Sequence, residues 1–255
     1  MPETLLFLPD GNERRALSRA RIGELTFRSC LSVAALRAGI GLNPEAVLCG
    51  PSSELIEDPN VLEMIDAHGI KLVIRCSLTR SVVCDLVSLS SRFPAFRVSL
   101  RTPFETGDLI RDLNCLIDEP DGGPIGVLTN RIANLVHPDA MRFALTALVL
   151  GRERTDVLGY ATICGLAPRS LQASHQHFRL SGPHRLLAWG QACWMVWRME
   201  RYGWNPKRTA LAGGFASASA MSAALTPVIG KSPATLARCD GVTVLTNLFE
   251  SRMVQ

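Results

Sequence analysis

Six residues, Glu119-Pro120-Asp121-Gly122-Gly123-Pro124, divide this sequence into two parts of different character. Two prolines and two glycines in so short a stretch stop any helix or strand that reaches it. Ahead of it, short apolar runs alternate with segments of helical spacing. Behind it the strand-type runs cease, and apolar residues recur with a helical period until the last fifteen residues. With 255 residues the chain is long enough for two modest domains, each with its own core.

In the first part, Leu5-Leu6-Phe7-Leu8 reads as a strand closed by Pro9-Asp10-Gly11, and about Glu13 to Arg37 reads as helix ending at Ala38-Gly39. Ala46 to Cys49 is a second strand, about Val61 to Ala67 a helix stopped by Gly69, and Lys71 to Cys76 a third strand. Ser81 to Ser91 reads as helix, Phe96 to Leu100 as a fourth strand and Thr106 to Asp118 as helix. This alternation predicts an α/β domain with a small, mostly parallel sheet covered on both faces. Gly39-x-Gly41 lacks the preceding strand and third glycine of a dinucleotide loop.

An apolar fraction of 47% and a charged fraction of 20% describe a globular chain, with no run of eighteen apolar residues to span a membrane. Met1-Pro2-Glu3-Thr4 has no basic leader character, and a cytoplasmic protein is expected. Eight cysteines without a Cys-x-x-Cys pair read as reduced core residues, and no metal or cofactor is implied. Residues 1–150 hold 15 Lys+Arg against 18 Asp+Glu, and residues 151–255 hold 12 against 5. The parts therefore carry −3 and +7, the asymmetry expected when one domain meets a polyanion, although a solvated basic surface gives the same count.

Two similar signals lie about fifty residues apart in the second part. Val157 to Gln172 reads as a short helix, a Gly165 turn and a second helix begun near Ala167-Pro168. There the small Ala161 and Gly165 permit a close helix crossing, and Leu166 and Leu171 supply core. The second signal starts at Asn205-Pro206, an N-cap followed by proline at the first helical position. Ala210, the turn residue Gly214 and the anchor Phe215 follow. Ser217 then caps a helix that buries Met221 and Leu225 and ends at Pro227. Between them, Pro183 to about Tyr202 reads as a long linking helix with Trp189, Trp194 and Trp197 as core at helical spacing.

Ala210-x-x-x-Gly214-Phe215, then Ser217-x-Ser219, Gly230-Lys231-Ser232-Pro233 and Arg238, is similar to the signature of the AraC family of bacterial transcription regulators. Pro183-His184-Arg185-Leu186-Leu187 resembles the segment that opens that family's linking helix, and the likeness covers about residues 137 to 238. It implies an all-α domain of seven helices with tandem helix-turn-helix units. Their recognition helices would enter successive major-groove segments of duplex DNA, about 34 Å apart. The implied organisation is an α/β domain over 1–120, a linker over 121–136, a DNA-binding domain over 137–240 and a tail over 241–255.

The resemblance makes Arg169, Ser170, Gln172, Ala173 and Gln176 on the first recognition helix, and Ser219, Ser222 and Ala223 on the second, the base-reading candidates. Arg169 can fork onto guanine, and Gln172 and Gln176 onto adenine. The small side chains from Ala218 to Thr226 make none of the two-pronged contacts that discriminate bases by about 1–3 kcal/mol. A lopsided readout is expected. Arg179, Arg185, Lys207, Arg208, Ser217 and Lys231 are the phosphate candidates. His175 and Leu180 stand where the family usually has Phe and Gly, which predicts an altered exit from the first recognition helix. His175-x-His177 reads as a structural pair rather than a metal site, having no third ligand nearby.

The α/β part resembles a phospho-receiver (flavodoxin-like) module, which requires an Asp at the tip of its third strand. Cys76-Ser77 is found there instead, and the lone acid after the first strand is Asp10. A pseudo-receiver that serves dimerisation or partner docking is the expectation. An enzyme reading would need Cys49 as nucleophile with only His68 to activate it. The chain thus reads as a homodimeric regulator that binds double-stranded DNA. The alternative is a protein-interaction module of the same fold that has lost base readout. Gly241 to Phe249 has strand-like composition and is expected to return to the sheet or pair with a partner subunit.

Overall fold

The computed structural model describes residues 3–8, 10–19, 26–51, 54–101, 113, 116, 117, 121–152 and 154–254. The chain divides into two compact units, Met1–Ser77 with Cys84–Gly122, and Leu78–Val83 with Gly123–Gln255.

The first unit is built on five parallel strands, β1 (Glu3–Phe7), β2 (Thr26–Ser29), β3 (Ala46–Cys49), β4 (Lys71–Cys76) and β5 (Arg97–Leu100), in the order β2-β1-β3-β4-β5. Helices α1 (Gly11–Arg19), α2 (Val33–Ile40), α3 (Glu54–Glu57), α4 (Pro59–Ala67) and α5 (Arg80–Arg92) accompany it. β1, β3 and β4 carry consecutive apolar residues, Leu5 to Phe7, Ala46 to Cys49 and Leu72 to Ile74, because a parallel sheet is covered on both faces. Leu6, Leu48 and Val73 meet Leu17, Leu113 and Leu116 on one side. Leu5 points to the other side, beneath Gly39 of α2, where a Cβ would lie 2.8 Å from its Cδ1.

The sequence reading missed β2. Residues expected as one helix from Glu13 to Arg37 form α1, the edge strand β2 and the start of α2. A four-residue edge strand with one Arg and one Ser carries too little apolar pattern to announce itself. β3, not Lys71 to Cys76, is therefore the third strand, and Cys49-Gly50 stands at its tip. The helix expected over Thr106 to Asp118 lies outside the described residues, except for Leu113, Leu116 and Ile117, which are helical and buried. Two strand arginines are also buried. Arg75 Nε bonds Glu13 Oε1 at 2.9 Å and its Nη1 bonds Ser99 Oγ at 3.0 Å, while Arg97 Nε donates to Leu116 O at 2.6 Å.

The second unit is helical: α6 (Ile125–Ile132), α7 (Pro138–Leu150), α8 (Val157–Ile163), α9 (Pro168–His177), α10 (Pro183–Tyr202), α11 (Pro206–Ala212), α12 (Ala218–Ile229), α13 (Pro233–Leu236) and α14 (Gly241–Leu248), then a π-helical turn, Phe249–Met253. Residues expected as linker form α6, which buries Ile125, Leu128 and Ile132. α10 lies at the centre, with Trp189, Trp194 and Trp197 buried. It crosses α7 closely enough that a Cβ on Gly190 would sit 2.2 Å from Ala147 O.

The final segment is not a strand. Val242, Leu245 and Phe249 are buried at helical spacing. Trp189 Nε1 donates to Leu245 O at 3.1 Å, and the Trp189 and Phe249 rings lie 4.7 Å apart. Ser181 N donates to Met253 O at 2.8 Å. Valines and threonines gave the segment strand-like composition, but packing against α10 outweighs a propensity difference that spans about 1 kcal/mol. No described helix is long and apolar enough to cross a membrane.

Cys30, Cys49, Cys76 and Cys193 are buried, and burial pushes the Cys76 thiol up to about 12. Cys84 and Cys239 are exposed, against the expectation that the cysteines are core. Cys84 lies on the outward side of α5 and Cys239 in the turn before α14, positions that composition does not reveal.

Candidate nucleic-acid interface

Two parts of the second unit repeat one backbone pattern. At the end of α8, Gly165 has φ 67°, its N–H donates to Thr162 O at 3.0 Å, and the N–H of Leu166 donates to Ala161 O at 2.9 Å. At the end of α11, Gly214 has φ 76°, its N–H donates to Leu211 O at 3.1 Å, and the N–H of Phe215 donates to Ala210 O at 2.9 Å. Ala161 and Ala210 are both fully buried, since nothing larger fits where the following segment folds back. The left-handed glycine is what turns the chain, because any residue with a Cβ is strained there.

The caps follow the sequence. Asp156 accepts from Gly159 N at 2.8 Å to start α8, and Asn205 accepts from Arg208 N at 2.9 Å to start α11. Ser217 Oγ accepts from Ala220 N at 3.1 Å to start α12. The helices that follow each turn bury matching rows, Leu171 and His175 on α9, Met221 and Leu225 on α12. Their outward faces are what each pattern displays.

Two local expectations need correction. Gly165 takes no part in a close crossing, for a Cβ on it would meet nothing within 4 Å, and its role is conformational. The close approach belongs to Gly213, where a Cβ would lie 2.6 Å from Met195 Sδ. Pro227 does not end α12, which continues to Ile229 and closes on left-handed Gly230. The carbonyl that Pro227 leaves free belongs to Ala223 on the exposed side, where water reaches it.

His175 is fully buried, while His177 is exposed, so the two do not act as a pair. His175 Nδ1 donates to Ser181 O at 2.6 Å, and Nε2 faces the Tyr160 hydroxyl at 3.1 Å, which itself lies 2.9 Å from Phe143 O. Desolvation holds the imidazole below its ordinary pKa, opposed by the bond to Ser181. The chain leaves α9 through Arg179, which takes a left-handed φ of 54°, followed by buried Leu180.

Arg169, Ser170, Gln172, Ala173 and Gln176 are all exposed on α9. On α12, Ser219 and Ala223 are exposed and Ser222 is half-buried. Of the phosphate candidates, Arg179, Arg185, Lys207, Arg208 and Lys231 are exposed, and Arg208 lies 4.0 Å over the Trp204 ring. Ser217 is exposed, with its oxygen already engaged as a cap. Sequence reasoning missed Arg198, which is buried with its Nη1 on Arg152 O at 3.2 Å and its guanidinium 5.3 Å from the Trp194 ring. An arginine amid an apolar helix flanked by tryptophans was the available signal. Against known proteins, no family model, no curated protein and no solved structure matches this chain.

Proposed function

We propose that this chain is a transcription regulator of AraC type that binds duplex DNA through two helix-turn-helix units. The observation that carries the reading is the repeated turn, Ala161–Gly165–Leu166 and Ala210–Gly214–Phe215, each followed by a helix with an exposed face. α7 to α13 provide seven helices over the span the resemblance implies, and α10 joins the two units. The charge of +7 over residues 151–255 suits a polyanion. Arg169, Gln172 and Gln176 read bases from α9, and α12 contributes shape and methyl contacts through Ser219, Ser222 and Ala223. Arg179, Arg185, Lys207, Arg208, Ser217 and Lys231 flank them as phosphate contacts.

The order β2-β1-β3-β4-β5 is that of flavodoxin-like doubly wound sheets, which supports a receiver-like first unit. Cys49 stands at the tip of its third strand, and Asp10 is spent capping α1 through Asn12 N at 2.9 Å and Glu13 N at 3.2 Å. Such a unit pairs subunits or docks a partner without phosphorylation. The reading is tested by fluorescence anisotropy of the full chain with genomic duplex fragments across a salt series. Micromolar protein giving no complex at low salt would end it. The bare α12 face favours one second reading, an interaction module that has lost base readout, and reproducible capture of one protein partner without DNA binding would select it.

A further inference from the structure

We infer that the second unit binds a small carboxylate-bearing amide in a cleft of about 600 Å³ between the residues leading into α8, the first turns of α10 and the middle of α12. That volume falls within the range of ligand pockets. Its wall contains the side chain of Gln191 on α10, which is only 8% exposed and makes no hydrogen bond to any described residue. The Gln191 amide opens onto the cleft rather than being sealed in the core, and a primary amide offers both an acceptor and donors. The group that satisfies both at once is another amide.

The charges of the cleft add the second requirement. Arg154 and His184 stand on its rim, and Asp156, the one acid among its described residues, already accepts from Gly159 N. Arg154 presents the fork geometry that carboxylates match. Leu187 and Leu225 supply an apolar floor for a short acyl or aromatic body. An N-acylated amino acid combines these features. Because the floor joins α10 to α12, occupancy braces the second turn unit against the linking helix.

Isothermal titration of the full chain with hippurate tests this, alongside benzoate, which lacks the amide, and hippuramide, which lacks the charge. Hippurate saturates at one per chain, and each analogue binds at least about tenfold more weakly. Gln191→Leu and the surface change Arg154→Gln each weaken hippurate by about tenfold or more. Absence of saturable binding at millimolar hippurate, or binding that both variants leave within about twofold, overturns the proposal. No DNA is present in the experiment, so its result is independent of the DNA-binding reading.

Discussion

His175 donates from Nδ1 to the carbonyl of Ser181 at 2.6 Å, inside a core that excludes water from the imidazole. A carbonyl can only accept, so the neutral ring carries its proton on Nδ1, while the Tyr160 hydroxyl donates to Phe143 O at 2.9 Å and lies 3.1 Å from Nε2. Burial disfavours the second proton, placing the folded-state pKa below the ordinary 6.5. The unfolded chain then binds more protons in acid. This stabilising contribution is complete above about 6.5 and is lost as pH falls from there through the folded-state pKa. Melting followed by circular dichroism should show the midpoint falling over that window, and His175→Phe should flatten the dependence even if its own midpoint is lower. An unchanged slope in the variant would remove His175 as the cause.

The crossing of α7 and α10 leaves no room for a methyl at Gly190, whose Cβ would meet Ala147 O at 2.2 Å and Ala147 C at 2.7 Å. Backbone cannot yield as a flexible side chain does. Gly190→Ala is therefore expected to cost about 1–3 kcal/mol or more. Gly182→Ala, with nothing within 4 Å, serves as the control and should change the urea midpoint far less.

Gly165 and Gly214 both carry positive φ, but a Cβ on Gly165 meets nothing within 4 Å, whereas one on Gly214 comes within 3.2 Å of Arg154 Cβ. Gly165→Ala should cost about 1–2 kcal/mol through backbone strain alone, and Gly214→Ala adds crowding against Arg154 to the same strain. Asn tolerates this region better, so Gly165→Asn should recover part of the loss in the same denaturation assay. Equal losses for Ala and Asn would argue against a conformational origin.

Phe249 fills the space against Trp189, with ring centroids 4.7 Å apart, and is fully buried. Phe249→Ala should destabilise the second unit by about 3–5 kcal/mol, as for a core aromatic. A loose terminal tail would tolerate the change, so a midpoint shift below measurement error contradicts the packing described.

For DNA, Arg169→Ala is expected to relax preference at one base pair by about 1–3 kcal/mol and leave other positions unchanged. Lys207→Ala should weaken all sequences alike and lower the salt slope by about 1. Anisotropy with single-base-pair variants of one site separates the two. Identical behaviour of both variants would defeat the division into base and phosphate contacts.

The two turn units were legible because their chemistry is local. Asn205, Ser217 and Gly214 do in the structure what their types and spacing require, capping two helices and turning the chain. β3 was legible for the same reason, as an unbroken apolar run bounded by turn residues, and β4 through its central run Leu72 to Ile74. β2 was not, because Thr26 to Ser29 becomes a strand only through pairing with β1. The candidate contact residues could be named from the face they would occupy, but the place of Gln191 on a cleft wall could not, since the cleft depends on packing around α10.

By itself, then, the sequence determined the class of each unit and the caps and turns, all effects that act within a few residues. Tertiary structure decided the rest: that Val242 to Phe249 is helix rather than strand, that Gly190 is a crossing point, and that His175 is sealed while His177 faces water. Such outcomes depend on which distant atoms fill the space beside a residue, and packing against α10 outweighs the small local preferences that sequence records.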